Sequence, residues 1–164
     1  MKILYYGGQK SGKSRLAEQR ALSLARSHKP YYIATYDNRY EDAEMAERIA
    51  RHQSQRKESF VTIEEPYSIA QQIQEGNTYL IDCMSMWLLN TLEWEENQLL
   101  QEIETLAQTD ANIIFVLNDV SSGIIPLDGI SRKYVDRSGL VGQQLAAICS
   151  EVYEVKLGLP LKLK

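Results

Sequence analysis

Residues 7–14 read Gly7-Gly8-Gln9-Lys10-Ser11-Gly12-Lys13-Ser14, a full match to the pattern G-x-x-x-x-G-K-[ST]. An apolar run, residues 3–6, precedes the match. Behind it, Leu16, Arg20 and Leu24 recur at four-residue spacing, as do Ala17, Ala21 and Ala25. That is helical periodicity, and it predicts a helix through about residue 27. Strand, glycine-flanked turn and helix in this order admit few folds. They demand a strand buried enough to anchor the turn and a helix packed back across it.

The residue types have a physical reason. Backbone N–H groups around a tight loop can surround an anion without ordering long side chains. Gly7 and Gly12 permit backbone geometry that a Cβ obstructs. The helix that follows aims the positive end of its dipole at the loop. Lys13 can reach the β- and γ-phosphates of a nucleoside triphosphate, and the Ser14 hydroxyl can ligate Mg²⁺. Such an ion needs a second protein anchor, normally a carboxylate at the end of a neighbouring apolar strand. The run Tyr79-Leu80-Ile81-Asp82 supplies one.

The rest of the chain alternates strand-like and helix-like segments, which predicts an α/β domain with a mainly parallel sheet. Strands are expected over 30–34, 60–63, 78–83 and 112–117. Helices are expected over 41–55, from Pro66 to about 74, over 84–107 with a break near Glu93, and over 131–150 with Ser131 as N-cap. The stretch 118–130 reads as a long loop. Residues 152–156 and 161–163 flank Gly158 and Pro160, so the chain is expected to end in a hairpin. Its 164 residues suffice for a single domain, 1–164.

Composition narrows the partners. Acidic residues number 22 and basic residues 18, for a net charge of −4. The basic residues are interspersed with acidic ones and form no stripe, which argues against a nucleic-acid partner. No stretch reaches the ~20 apolar residues of a membrane helix, and the apolar N-terminus is too short for a signal peptide. A cytoplasmic location without membrane insertion is expected. Cys83 and Cys149 lack metal-ligand spacing, and Cys83, in an apolar run, reads as a buried free thiol. Met84, Met86, Trp87 and Trp94 read mostly as core.

A second cluster lies in residues 44–56. On a helix, Arg48, His52 and Arg56 fall one turn apart on one face. Two cations beside an imidazole gather phosphate and hold the ring neutral and nucleophilic. Taken by itself, a histidine on a charged helix is more often a solvated side chain. His28 has no such neighbours and reads as solvated, at the end of the first helix.

These segments together resemble one family. The run 7–15 with Ala17-Glu18, the strand Tyr32-Ile33-Ala34-Thr35, Glu44-Met45 with Arg48-Ile49-Ala50-Arg51-His52, the loop 118–126 and the ending 158–164 are similar to the bifunctional adenosylcobinamide kinase / adenosylcobinamide-phosphate guanylyltransferases of cobalamin biosynthesis. The resemblance covers nearly the whole chain. It implies a P-loop (RecA-like) α/β fold and two reactions. One transfers a phosphoryl group from ATP or GTP to adenosylcobinamide. The other transfers GMP from GTP to the resulting phosphate.

The resemblance also implies site residues. His52 stands where the family carries GMP covalently, with Lys13 as its catalytic partner in the phosphate loop. Residues Gly7, Gly8, Gln9, Lys10, Ser11, Gly12, Lys13 and Ser14 hold phosphates, Ser14 and Asp82 hold Mg²⁺, and Arg56 clamps a phosphate. Glu64 reads either as a guanine contact or as a surface carboxylate. Thr35 and Tyr36, at the carboxyl end of the second strand, face the same crevice if the sheet is doubly wound. A homo-oligomer is implied as well.

This sequence departs from the family pattern at Asp119 and Asp82, where glutamate is common, and at 139–143, which read Gly-Leu-Val-Gly-Gln in place of G-R-x-N-Q. Two alternatives stay open: a guanylyltransferase without kinase activity, and a GTP-binding switch that transfers nothing.

Overall fold

A computed structural model describes residues 1–25, 28–37 and 58–164. The elements are β1 (Lys2–Gly7), α1 (Lys13–Leu24), β2 (Tyr31–Ala34), β3 (Val61–Glu64), a 3₁₀ turn (Ile69–Gln72), β4 (Thr78–Asp82), α2 (Met84–Asn90), α3 (Glu96–Gln108), β5 (Asn112–Asn118), α4 (Gly129–Ile148), β6 (Glu151–Lys156) and β7 (Leu159–Lys162). They build one seven-stranded sheet in the order β3-β2-β4-β5-β1-β6-β7. The first six strands are mutually parallel. Only β7 runs antiparallel, as the return arm of the expected hairpin.

The central strands are apolar on both sides because both sheet faces are covered. On one face Ile3, Tyr5, Leu80, Ile114, Val116 and Val155 pack with Ala17 and Ala21 of α1. The small alanines allow the helix backbone to approach the strands closely. On the other face Leu4, Ile81, Ile113, Phe115 and Leu117 pack against Trp87, Leu99, Ile103, Val141 and Leu145 of α2, α3 and α4. The sheet is therefore doubly wound, and all six parallel strands end at one edge.

The segment 84–107 breaks near Glu93 as expected: it is two helices, with residues 91–95 as a turn in which Trp94 packs edge-on against Trp87 at 6.2 Å. Glu95 and Gln98 form a reciprocal capping box that starts α3. Three other expectations are corrected. The helix expected after Pro66 is only the 3₁₀ turn. There the Glu65 carboxylate accepts the N–H groups of Tyr67 and Ser68, satisfying donors that a helix would otherwise have to place. The last helix is capped by Asp128, whose Oδ1 accepts from the Ser131 N–H at 2.8 Å, so Ser131 lies inside the helix. Helix α1 ends at Leu24, earlier than expected. The helix expected over 41–55 lies outside the described residues.

Candidate active site

Strand β1 delivers the chain to the sheet edge at Gly7, and α1 leaves from Lys13. Between them the backbone turns through left-handed conformations at Lys10 (φ 55°) and Gly12 (φ 95°). Glycine is required at 12 for that reason. It is required at 7 for another: a Cβ there would sit 2.4 Å from the Val155 carbonyl oxygen of β6. The Lys13 side chain is buried, and its Nζ donates to the Gly8 carbonyl at 3.0 Å, spanning the loop. Gln9 and Lys10 are exposed, while Gly8, Ser11, Gly12 and Ser14 are half-buried. The Ser11 hydroxyl is itself a buried oxygen with no hydrogen-bond partner among the described residues, close to Gly7.

Asp82 comes from β4, one strand removed from β1 across β5. Val116 of β5 is level with both Asp82 and Tyr5. Leu80 packs on the α1 face of the sheet, so Asp82, two residues on, projects to the same side. There Ser14 Oγ donates to Asp82 Oδ1 at 3.4 Å. A hydroxyl and a carboxylate are hard oxygen donors, the set Mg²⁺ prefers when substrate phosphates and water complete its shell. The residues present thus fit the ion.

Strand β2 supports this carboxylate. Tyr32 Oη donates to Asp82 Oδ2 at 3.0 Å. Thr35 is fully buried; its Oγ1 donates to the Cys83 carbonyl at 2.7 Å and accepts from the Cys83 N–H at 3.1 Å. Asn90 Nδ2 in turn donates to the Thr35 and Pro66 carbonyls at 2.7 and 3.0 Å. Burial, and then the neighbouring Asp82 charge, push the Cys83 thiol up to about 11.

The remaining sequence-derived residues fall on the same edge or outside the description. Glu64 ends β3 exposed, in register with Ala34, which is itself in register with Asp82. Tyr36 follows β2, half-buried. His52 and Arg56 lie outside the described residues. Periodicity and motif left three contributors unmarked. Tyr32 stands in the same short run as Thr35, and the alternation of β2 puts it on the α1 face. Gly158, in the hairpin turn, braces the loop through its N–H. Asp119 donates its own N–H to the Gly7 carbonyl at 2.9 Å, and its carboxylate accepts from Ser121 and Ser122.

A phosphate loop with Ser14 on a strand-end carboxylate defines a broad fold group, and comparison with known proteins narrows it. Residues 3–163 match the family described as cobinamide kinase / cobinamide phosphate guanyltransferase, CobU. The chain belongs to that family. It is accordingly an enzyme, a transferase with a kinase and a guanylyltransferase activity. The bifunctional adenosylcobalamin biosynthesis protein CobP of Pseudomonas aeruginosa is 38% identical over 175 residues, covering 100% of this chain and 98% of the relative. The corresponding protein CobU of Escherichia coli is 33% identical, with 100% of both chains covered. Among solved structures, the flagellar accessory protein FlaH of Methanocaldococcus jannaschii is similar with a TM-score of 0.54 at 15% identity, over 99% of this chain and 77% of that one. That likeness concerns the fold. No helix among the described residues is long and apolar enough to cross a membrane.

Proposed function

We propose that this CobU-family chain phosphorylates adenosylcobinamide with ATP or GTP and then transfers GMP from GTP to adenosylcobinamide phosphate through a guanylyl-histidine at His52. The observation that carries the reading is the Ser14–Asp82 pair at the lip of the phosphate loop, in a chain that matches the family from residue 3 to 163.

In the kinase step the substrate hydroxyl attacks the γ-phosphorus. The bond from Pγ to the bridging oxygen breaks, and nucleoside diphosphate leaves. The phosphate loop does the positioning. Backbone N–H groups of residues 8–13 face the phosphates, and Lys13 exchanges its contact with the Gly8 carbonyl for the β- and γ-oxygens. Ser14 and Asp82 hold Mg²⁺, which when bound neutralises charge on the phosphate oxygens.

In the guanylyl step an imidazole nitrogen of His52 attacks the α-phosphorus. A P–N bond forms, the Pα–O bond to the leaving group breaks, and pyrophosphate departs. A phosphate oxygen of adenosylcobinamide phosphate then attacks the same phosphorus, and the P–N bond breaks to release adenosylcobinamide-GDP. Arg56 steadies a phosphate by paired N–H donation. Tyr36 and Glu64 flank the nucleotide at the strand ends, and Thr35 serves it by holding the Cys83 backbone. The active unit is a homo-oligomer, a reading supported by the exposed Leu159 and Leu161 of the edge strand β7 and Leu163 just beyond it.

The test is to incubate the protein with Mg²⁺ and GTP labelled at the α-phosphate. Label should remain on the denatured protein, labile to acid and stable to base, and His52→Ala should abolish it. Equal labelling of His52→Ala removes the histidine from the mechanism. Parallel samples with labelled ATP establish which nucleotide the transfer step accepts.

A further inference from the structure

Asp82 is held from two sides. Ser14 Oγ, at the start of α1, meets Oδ1 at 3.4 Å, and Tyr32 Oη, from β2, meets Oδ2 at 3.0 Å. Tyr32 also lies 3.4 Å from the Asp82 carbonyl oxygen. Its ring is 6% exposed and sits edge-on to Phe60, with centroids 6.1 Å apart. In the β2–β4 pairing Tyr32 is level with Leu80, two residues below Asp82 on the same face. A rigid phenol thus rises from the core to the carboxylate of the neighbouring strand.

We propose that Tyr32 is a positioning residue for the divalent cation: its hydroxyl fixes the plane of the Asp82 carboxylate so that Oδ1 faces Ser14 and the ion they share. The inference rests on the Mg²⁺–nucleotide reading given above. An aspartate has two rotatable bonds, and a carboxylate serving one short metal shell must be held in one orientation. Octahedral Mg²⁺ tolerates little angular error, and partners one layer out from the ligand commonly set that orientation. Apolar packing accounts for the Tyr32 ring, since phenylalanine would fill the same space. It does not account for a buried hydroxyl within hydrogen-bond distance of this carboxylate.

The experiment separates positioning from packing. Wild type, Tyr32→Phe, Asp82→Asn and the double variant are titrated with a ribose-labelled fluorescent GTP analogue carrying an α,β-methylene bridge, which cannot transfer GMP. Each titration is run in EDTA and across a Mg²⁺ series, and Tm is recorded for each variant. Tyr32→Phe retains the ring and is expected to stay folded. In EDTA its affinity for the analogue should match wild type. The Mg²⁺ concentration giving half of the tightening should rise about three- to tenfold, the worth of one net hydrogen bond. Asp82→Asn should lose the Mg²⁺-dependent part, and adding Tyr32→Phe to it should change nothing further.

Tyr32→Phe indistinguishable from wild type in Mg²⁺ overturns the proposal. So does an equal loss with and without Mg²⁺, or an additive double variant, because either assigns the hydroxyl a general structural role. A wild type whose nucleotide affinity ignores Mg²⁺ overturns the underlying metal reading along with it, which distinguishes the two failures.

Discussion

The backbone N–H of Gly158 donates to the carbonyl oxygen of Ser11 at 2.8 Å, so the turn of the C-terminal hairpin is tied to the phosphate loop near the opposite end of the chain. The Gly158 Cα also lies 3.2 Å from where a Cβ on Gly12 would stand. Leu157 and Gly158 both have positive φ, at 54° and 80°. This is the two-residue turn whose twist suits a β-hairpin, and it favours Asn-Gly.

Opposite effects are expected at the two turn positions. Gly158→Ala places a Cβ at left-handed φ and should cost about 1 kcal/mol of stability while weakening GTP binding, as the loop loses its brace. Leu157→Asn relieves the same backbone demand and should stabilise by roughly 0.5–1 kcal/mol. Chemical denaturation with a parallel GTP titration reads both. A destabilised Leu157→Asn contradicts the backbone argument.

Lys13→Ala should weaken nucleotide binding by about 10- to 100-fold, the worth of a charge-assisted contact to phosphate. Because one loop serves both reactions, the kinase and guanylyl steps should fall together. Initial-rate assays of the two steps would show retention of either one, and that outcome would separate their phosphate sites.

Asp119 should contribute acid-sensitive stability. Partial burial alone would raise its pKa. Donation from Ser122, Tyr6 and Ser121 prevails and holds the carboxyl well below its ordinary range. A carboxyl depressed in the folded state stabilises above its unfolded pKa of about 4, and that contribution fades as pH falls through the folded value. Urea midpoints measured from pH 6 downward should therefore drop below about pH 4. The drop should be smaller in Asp119→Asn; equal slopes would remove Asp119 from the acid response.

Both cysteines should resist alkylation in the native protein. Burial is the first cause at each, pushing Cys83 up to about 11 and Cys149 up to about 12. At pH 8 the thiolate fraction at Cys83 is then about one in a thousand. Iodoacetamide should label neither residue until urea is added, as intact-mass measurement will show. Rapid native labelling of Cys83 would mean its sulfur is open to solvent.

The phosphate loop was legible because its demands are local. The geometry of Gly12, the reach of Lys13 and the start of α1 lie within eight residues. Asp82 was legible for a related reason: a carboxylate closing an apolar strand has few places to go in a parallel sheet. The break before α3 is legible near Glu93, and a tertiary contact, Trp94 against Trp87, together with a capping box fixes it at residues 91–95. The cap of α4 was placed three residues late because Ser131 and Asp128 are both good caps, and only the chain path chooses between them.

What the residues settled unaided was the local chemistry: an anion cradle, its lysine, a hydroxyl beside it and a parallel α/β frame, each set by nearest-neighbour sterics and by strand and helix periodicity. Tertiary structure alone decided which distant groups meet. It set Tyr32 and Thr35 under Asp82 and Cys83, and Gly158 against Ser11, because strand order places β2 beside β4 and β6 beside β1. Those adjacencies arise from burying two faces of one sheet at once, a global condition that no short stretch of sequence encodes.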